Sequence, residues 1–303
     1  MDISPDLQRL TAEVEALRAE NRQLVEELAD LRILYENTIE HGEAVEDQLA
    51  EANIELKRTQ ERLDQELAEA SNYVRSILPS PRQDLPRAEW LLIPSTELGG
   101  DSLGYHWIDK DHFALYLLDV CGHGVGAALL SVTAINVLRS GALANTDFRQ
   151  PGAVLSSLNE AFQMETQNNM YFTIWYGVYQ VSTRQLRYSS AGHPPAILLR
   201  GEVGCGQASL LQVKSMVLGG MSGTVYREES CAIAPGDRVF LLSDGTYEVE
   251  KPGGSRLDFA EFVQFVARAG TGGSEVEQTL EWIRSMNGAG PLQDDFTLLK
   301  VVF

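Results

Sequence analysis

Residues 113–124 read FALYLLDVCGHG, and this stretch decides the class of fold. The six residues before Asp119 would be apolar on both faces of an extended chain. That pattern predicts a central strand buried between a second sheet and a layer of helices. Gly122 and Gly124 follow the run and let the backbone turn tightly. Asp119 is therefore expected at the end of a buried strand, with its carboxylate in a loop.

A similar sequence pattern extends on both sides of this stretch, from residue 82 to the end of the chain. Short β-like runs alternate with glycine and proline, and several lie close enough in sequence to pair as hairpins, which predicts antiparallel sheets. The predicted strands are residues 90–94, 104–108, 113–119, 170–181, 185–190, 196–200, 238–243 and 296–303. The predicted helices are residues 124–140, 151–167, 257–269 and 274–286, the last opened by a Ser274/Glu277 capping box. The predicted class is α+β.

The chain before residue 79 has a different composition. Residues 5–78 contain one glycine, no proline after Pro5, and an excess of Glu, Leu, Ala, Arg and Gln, which favours helix. Heptad counting puts apolar residues in two rows with one amide among them, as in a coiled coil. The a positions are Leu7, Val14, Asn21, Leu28, Tyr35, Gly42, Leu49, Leu56 and Leu63, and the d positions open with Leu10, Leu17, Leu24 and Leu31.

Asn21 stands among apolar a residues, where a buried amide favours a parallel two-stranded assembly. The pattern weakens at Thr38, His41 and Gly42, so a bend or local unwinding is expected there. The alternative is a helical hairpin that folds back at His41 and Gly42. Pro79 and Pro81 end the helix. The predicted organisation is therefore a dimeric coiled coil at residues 1–78, a linker at 79–89 and a globular domain at 90–303.

Charge and composition exclude several classes of function. The formal net charge of −19 argues against nucleic-acid binding and against a basic membrane-surface protein. Three cysteines without a CxxC pair indicate neither a zinc site nor a disulfide framework. The sequence has no signal-peptide pattern and no apolar run long enough for a membrane span, so a cytoplasmic location is expected.

Four aspartates far apart in sequence carry the chemistry. Each follows or precedes a predicted strand: Asp101, Asp119, Asp244 and Asp294. Taken singly, an aspartate beside glycine is most often a turn residue. Brought together, four carboxylates would repel one another unless cations lay between them. Oxygen ligands without a His/Cys set indicate magnesium or manganese rather than zinc.

These residues lie in four of five motifs whose order resembles the SpoIIE/RsbU branch of the PPM (protein phosphatase type 2C) superfamily. The resemblance covers about residues 90 to 303. The motifs are GGD at 99–101, DVCGHG at 119–124, GHPPA at 192–196, SDG at 243–245 and DDFT at 294–297.

The resemblance implies a two-sheet antiparallel β-sandwich flanked by helices, with two Mn²⁺ or Mg²⁺ ions at one end. It implies that Asp119 bridges the ions and that the Val120 carbonyl is a ligand. Asp101, Asp244 and Asp294 would complete the shell directly or through water. It also implies hydrolysis of phosphoserine or phosphothreonine by metal-bound hydroxide, without a side-chain nucleophile.

Other residues near the motifs have less defined roles. His123 could donate a proton to the leaving oxygen or hold its loop by a hydrogen bond, and the second role is favoured. Asp295 is a candidate for orienting Asp294. Cys121 could be oxidisable, although a small buried thiol is commoner. Many relatives carry a further acid just after GGD, whereas the next acid here is Asp109.

Similarity to RsbU and SpoIIE suggests a phosphorylated anti-sigma-factor antagonist, or a related regulatory protein, as substrate. The coiled coil is hypothesised to receive the signal, through a bound regulator or a change of register near Gly42 that moves the helix entering at Leu78. Two alternatives remain open at this point. One is a noncatalytic scaffold that binds a phosphoprotein, and the other is a structural coiled-coil protein with a passenger domain.

Overall fold

The computed structural model describes residues 5–204, 206–251, 254–270, 273–287, 290 and 292–303. Met1 to Ser4, Cys205 and the side chain of Leu7, which entered the sequence predictions, lie outside the described residues. The chain divides into two compact units, Met1–Glu66 and Leu67–Phe303.

Helix α1 spans Pro5–Ile77 as one helix of 73 residues. It passes through His41 and Gly42 without interruption, so the helical hairpin considered from the sequence is wrong. The apolar a and d side chains are exposed along it, for instance Leu17 at 58% and Leu24 at 52%. No described helix has the length and apolar character that a membrane crossing requires.

The second unit contains two five-stranded antiparallel sheets, which confirms the predicted fold class. The first sheet has the order β1-β10-β9-β6-β7, from Arg87–Ile93, Phe296–Val302, Arg238–Leu242, Ala196–Arg200 and Gln207–Leu211. The second has the order β2-β3-β4-β5-β8, from Ser102–Trp107, His112–Val120, Phe172–Gln180, Gln185–Ala191 and Glu229–Ala232.

Alternate residues of each strand face opposite layers. Leu115, Leu117 and Trp175 face a core between the sheets, with Leu241 and Leu299 of the other sheet. The outer face of the β2–β8 sheet packs on α2 (Val125–Ser140) and α3 (Pro151–Ala161). The outer face of the β1–β7 sheet packs on α4 (Phe259–Arg268) and α5 (Glu275–Asn287). The predicted burial of the 113–118 run on both faces follows from this layering.

Two strands and one helix boundary differ from the sequence prediction. Strands β7 and β8 were not predicted, because both are edge strands of mixed polarity whose main-chain pairing depends on a distant neighbour. The helix predicted to reach residue 167 ends at Ala161. Phe162 turns inward against Phe172, and the Met164 amide donates to the Gly219 carbonyl instead of continuing the helix.

Candidate metal centre

Strand register brings the first two aspartates together. Strands β2 and β3 pair with Ser102 opposite Leu118, so Asp101 precedes one strand at the place where Asp119 ends the other. Asp101 is buried and Asp119 is partly buried. In two neighbouring antiparallel strands, the start of one strand lies beside the end of the other. Asp101 and Asp119 therefore meet, although they are 18 positions apart in sequence.

The other two aspartates meet in the same way in the second sheet. Strands β9 and β10 pair with Leu242 opposite Leu298. Asp244 opens a short 3₁₀ turn after β9, and Asp294 lies just before β10. Asp119 of one sheet lines the same cleft as Asp244 and Asp294 of the other, so the two pairs meet at one end of the sandwich.

The electrostatics show how crowded these carboxylates are. Burial first, and then the charges of Asp244 and Asp294, raise the pKa of Asp119 to about 8. Burial and the charge of Asp119 raise the pKa of Asp101 well above its ordinary value. Burial and the neighbouring Asp294 also raise the pKa of Asp244. Such mutual repulsion disappears when a cation lies among the carboxylates.

Two observations indicate that these residues fit a hard divalent cation. Asp101 Oδ2 is buried without a hydrogen-bond partner among the described residues. The hydroxyls of Thr297 and Ser243 are near the Asp101 carboxyl group and partly counteract the rise in its pKa. The Val120 carbonyl oxygen lies beside Gly100, where a Cβ would be only 2.6 Å from it. Carboxylate and carbonyl oxygens are the ligand types that Mg²⁺ and Mn²⁺ prefer.

The carboxylates do not form a complete side-chain cage. Within the part of the chain that the structure describes, no three His, Cys, Asp or Glu side chains are arranged to hold an ion by themselves. A cation here would take part of its shell from the Val120 carbonyl and from water, as Mg²⁺ commonly does.

Asp295 holds the loop that carries Asp101. Its buried carboxylate accepts hydrogen bonds from the Ser95 amide at 2.8 Å, the Ser95 hydroxyl at 2.9 Å and the Gly100 amide at 2.8 Å. Its own amide donates to Asp294 Oδ1 at 2.8 Å. Asp295 thus contacts Asp294 through its backbone and the Asp101 loop through its side chain.

Three of the aspartates border a cleft of about 320 Å³, namely Asp119, Asp244 and Asp294. Its lining also includes His123, Cys121, Tyr171 and Thr173. The His123 side chain is exposed and makes no hydrogen bond to any described residue, so the structure lends no support to the loop-holding role. Cys121 is half-buried, and its sulfur accepts from the Tyr171 amide at 3.3 Å.

Two further residues singled out from the sequence lie away from the carboxylates. Asp109 is in the turn between β2 and β3, at the opposite end of the strand from Asp101, and accepts from the amides of Asp111 and His112. His193 is buried behind the cleft and contacts Thr173. The sequence analysis did not identify Thr173 or Ser95. Thr173 lies opposite Asp119 only because β3 pairs with β4. Ser95 belongs to the site only through its hydrogen bond to the Asp295 carboxylate.

A two-sheet sandwich with acidic side chains from both sheets at one end is the architecture of the PPM (type 2C) phosphatase class. The family model "Stage II sporulation protein E (SpoIIE)" matches residues 109–303. The chain belongs to this SpoIIE family.

Individual relatives agree with this assignment. The phosphoserine phosphatase RsbU of Bacillus subtilis (strain 168) is 26% identical over 214 residues, which cover 69% of this chain and 62% of RsbU. The chain therefore spans less than two thirds of that relative. The SiaA-PP2C domain of Pseudomonas aeruginosa superposes with a TM-score of 0.68 at 21% identity, covering 81% of this chain and 98% of that domain. RsbX, solved in complex with magnesium, superposes with a TM-score of 0.55 at 16% identity, covering 74% of this chain and 99% of RsbX.

Proposed function

We propose that the chain is a metal-dependent protein serine/threonine phosphatase that requires Mn²⁺ or Mg²⁺. The observation that carries the proposal is the meeting of two carboxylates from each sheet at one end of a SpoIIE-family sandwich, where burial and neighbouring charges raise the pKa values of Asp101, Asp119 and Asp244. Clusters of this kind serve functional sites more often than stability. RsbU, a member of the same family, is named a phosphoserine phosphatase.

In this proposal Asp119 holds both cations, and Asp101, Asp244, Asp294 and the Val120 carbonyl complete their shell. When bound, two cations lower the pKa of a shared water and neutralise phosphoryl oxygens during in-line displacement. The protein side chains hold this end of both sheets in place and keep the cleft narrow. Its volume of about 320 Å³ suits a phosphorylated side chain rather than a folded domain.

The proposed substrate is a phosphoserine or phosphothreonine on a regulatory protein, of the kind represented by anti-sigma-factor antagonists. This choice of substrate is supported by membership of the SpoIIE family and by the similarity to RsbU. We further propose that α1 forms a parallel homodimer and binds a regulator, supported by the exposed row of Leu17, Leu24 and Leu31.

Phosphate release from a serine-phosphorylated peptide or p-nitrophenyl phosphate tests the proposal. We expect turnover that requires Mn²⁺ and disappears in Asp119→Asn. Asp109→Asn is the matched control, because it removes an aspartate from the same sheet at the opposite end. Manganese binding without turnover, in wild type and both variants, would instead support the noncatalytic scaffold.

A further inference from the structure

His193 is a buried residue to which the proposed reaction assigns no task. It lies in the crossover that links β5 of one sheet to β6 of the other, and it is 6% exposed. Gly192 before it has a φ of 64°, and a Cβ there would lie 2.6 Å from Val217 Cγ1. The backbone around the imidazole is therefore tightly constrained.

The ring makes one short contact toward the cleft. His193 Nδ1 lies 2.7 Å from Thr173 Oγ1. Burial lowers the pKa of His193 to about 3, and the Leu242 carbonyl opposes this only partly. The imidazole is thus neutral near pH 7 and carries a hydrogen on one nitrogen only.

The surroundings indicate which nitrogen carries that hydrogen. Nε2 makes no hydrogen bond of ordinary geometry to the described residues, and the Leu242 carbonyl is near enough to the ring to raise the pKa of His193. Because Nδ1 is engaged by Thr173, Nε2 is the nitrogen available to this carbonyl. A hydrogen on Nε2 makes Nδ1 an acceptor, so the Thr173 hydroxyl must donate to it.

Thr173 stands directly opposite Asp119 in the β3–β4 ladder and lines the cleft. Paired residues of adjacent strands project from the same sheet face, so its side chain lies beside the Asp119 carboxylate. A hydroxyl whose hydrogen is committed to His193 can only accept hydrogen bonds from the cleft side.

We propose that His193 is a positioning residue that holds the Thr173 hydrogen inward, so that a Thr173 lone pair orients the water attacking the phosphate. The inference rests on the proposed phosphatase function. Thr173 accepts a hydrogen bond from the water and does not take its proton. Nothing in this arrangement requires His193 to change its protonation state.

The kinetic test uses substitutions that separate polarity from packing. His193→Leu and Thr173→Val should each lower kcat about tenfold, with KM and Mn²⁺ affinity unchanged, because orientation of the water is lost. His193→Asn should retain most of kcat, since its amide oxygen can replace Nδ1 as acceptor, and so should Thr173→Ser. The matched control is Thr279→Val, which removes a buried hydroxyl from α5 without approaching the cleft.

A second measurement does not depend on turnover. Nitrogen-15 NMR of the full-length chain labelled at histidine should show His193 with Nε2 protonated and Nδ1 bare, before and after diamagnetic Mg²⁺ is added. A proton on Nδ1 overturns the inference even if the enzyme is active. Wild-type kcat in folded His193→Leu and Thr173→Val also overturns it while leaving the phosphatase function intact. Absence of turnover in the wild type counts against the phosphatase function. The His193 tautomer then shows only whether the Thr173 hydroxyl donates or accepts its hydrogen bond with His193.

Discussion

Asp119, the proposed ligand of both cations, is a residue whose ionised side chain destabilises the fold when no cation is bound. Its pKa is raised from 3.8 to about 8, so the folded chain without cations holds a proton more tightly than the unfolded chain. Stability conferred by this group is therefore full below about pH 4 and falls as the pH rises toward 8. Stability given up at a site in this way is the usual cost of function.

Asp119→Asn should accordingly raise the melting temperature of the EDTA-treated protein at pH 8 and change it little at pH 4. The expected gain is about 2–4 °C for each 1 kcal/mol by which removing the buried, repelled charge lowers the cost of folding. Differential scanning fluorimetry across that pH range measures it. An equal shift at both pH values would show that ionisation of Asp119 is not the cause.

A second prediction at the residue scale concerns the hydrogen bonds of the Asp295 side chain. A Cβ at Gly99 would overlap the Asp295 carboxylate, which holds the Ser95 and Gly100 amides. Gly99→Ala should therefore displace Asp101 and weaken Mn²⁺ binding about tenfold or more, as measured by calorimetry. Gly126→Ala is the control, since a Cβ there meets only the flexible end of Met170 at 3.6 Å. Unchanged affinity in Gly99→Ala would contradict a positioning role for Asp295.

At the scale of elements, α1 presents an apolar row that is exposed in the part of the chain that the structure describes. If this row is a dimer seam, Leu17→Glu with Leu24→Glu should convert a dimer into a monomer in light scattering, because charges at d positions cannot be buried. Ile33→Glu is the control, as Ile33 is 57% exposed but lies at an f position outside the seam. A wild-type monomer at micromolar concentration would remove the basis for dimerisation.

Helix α5 is attached to its sheet by a buried ion network. The Arg238 guanidinium lies 3.0 Å from the Glu275 carboxylate, with 3% and 5% of the two side chains exposed. Lys300 lies 3.3 Å from the same carboxylate. Removing one partner of such a network leaves a buried charge without compensation.

Glu275→Gln should lower the free energy of unfolding by about 3–5 kcal/mol. Urea denaturation measures the loss, and the exposed Glu281→Gln on the same helix is the control. A loss below about 1 kcal/mol would show that the cations are compensated by other groups.

At the scale of the whole molecule, the proposed centre joins the two sheets. Each sheet contributes two aspartates, so cations bound there should stabilise the sandwich as well as provide the chemistry. Mn²⁺ at 100 times its dissociation constant should raise the free energy of unfolding by about 2.7 kcal/mol. Asp119→Asn should lose most of this gain. Equal stabilisation of both proteins by Mn²⁺ would place the cation elsewhere.

Much of the architecture could be predicted from local patterns. The 113–118 run indicated a doubly covered strand, and the composition before residue 79 indicated a long helix. Strands β7 and β8 could not be predicted, because an edge strand such as Glu229–Ala232 gains its structure from main-chain bonds to a distant neighbour. The end of α3 likewise depends on Phe162 and Gly219, which no local pattern connects.

The α+β class, the long helix and the four aspartates at strand ends follow from the sequence alone, because each of them depends on local periodicity or on residue type. Which side chains share the cleft depends on the tertiary structure. The register of β3 with β4 placed Thr173 opposite Asp119, and the crossover between sheets placed His193 behind it. The physical reason is that pairing between strands is non-local, whereas the patterns that reveal strands and helices are local.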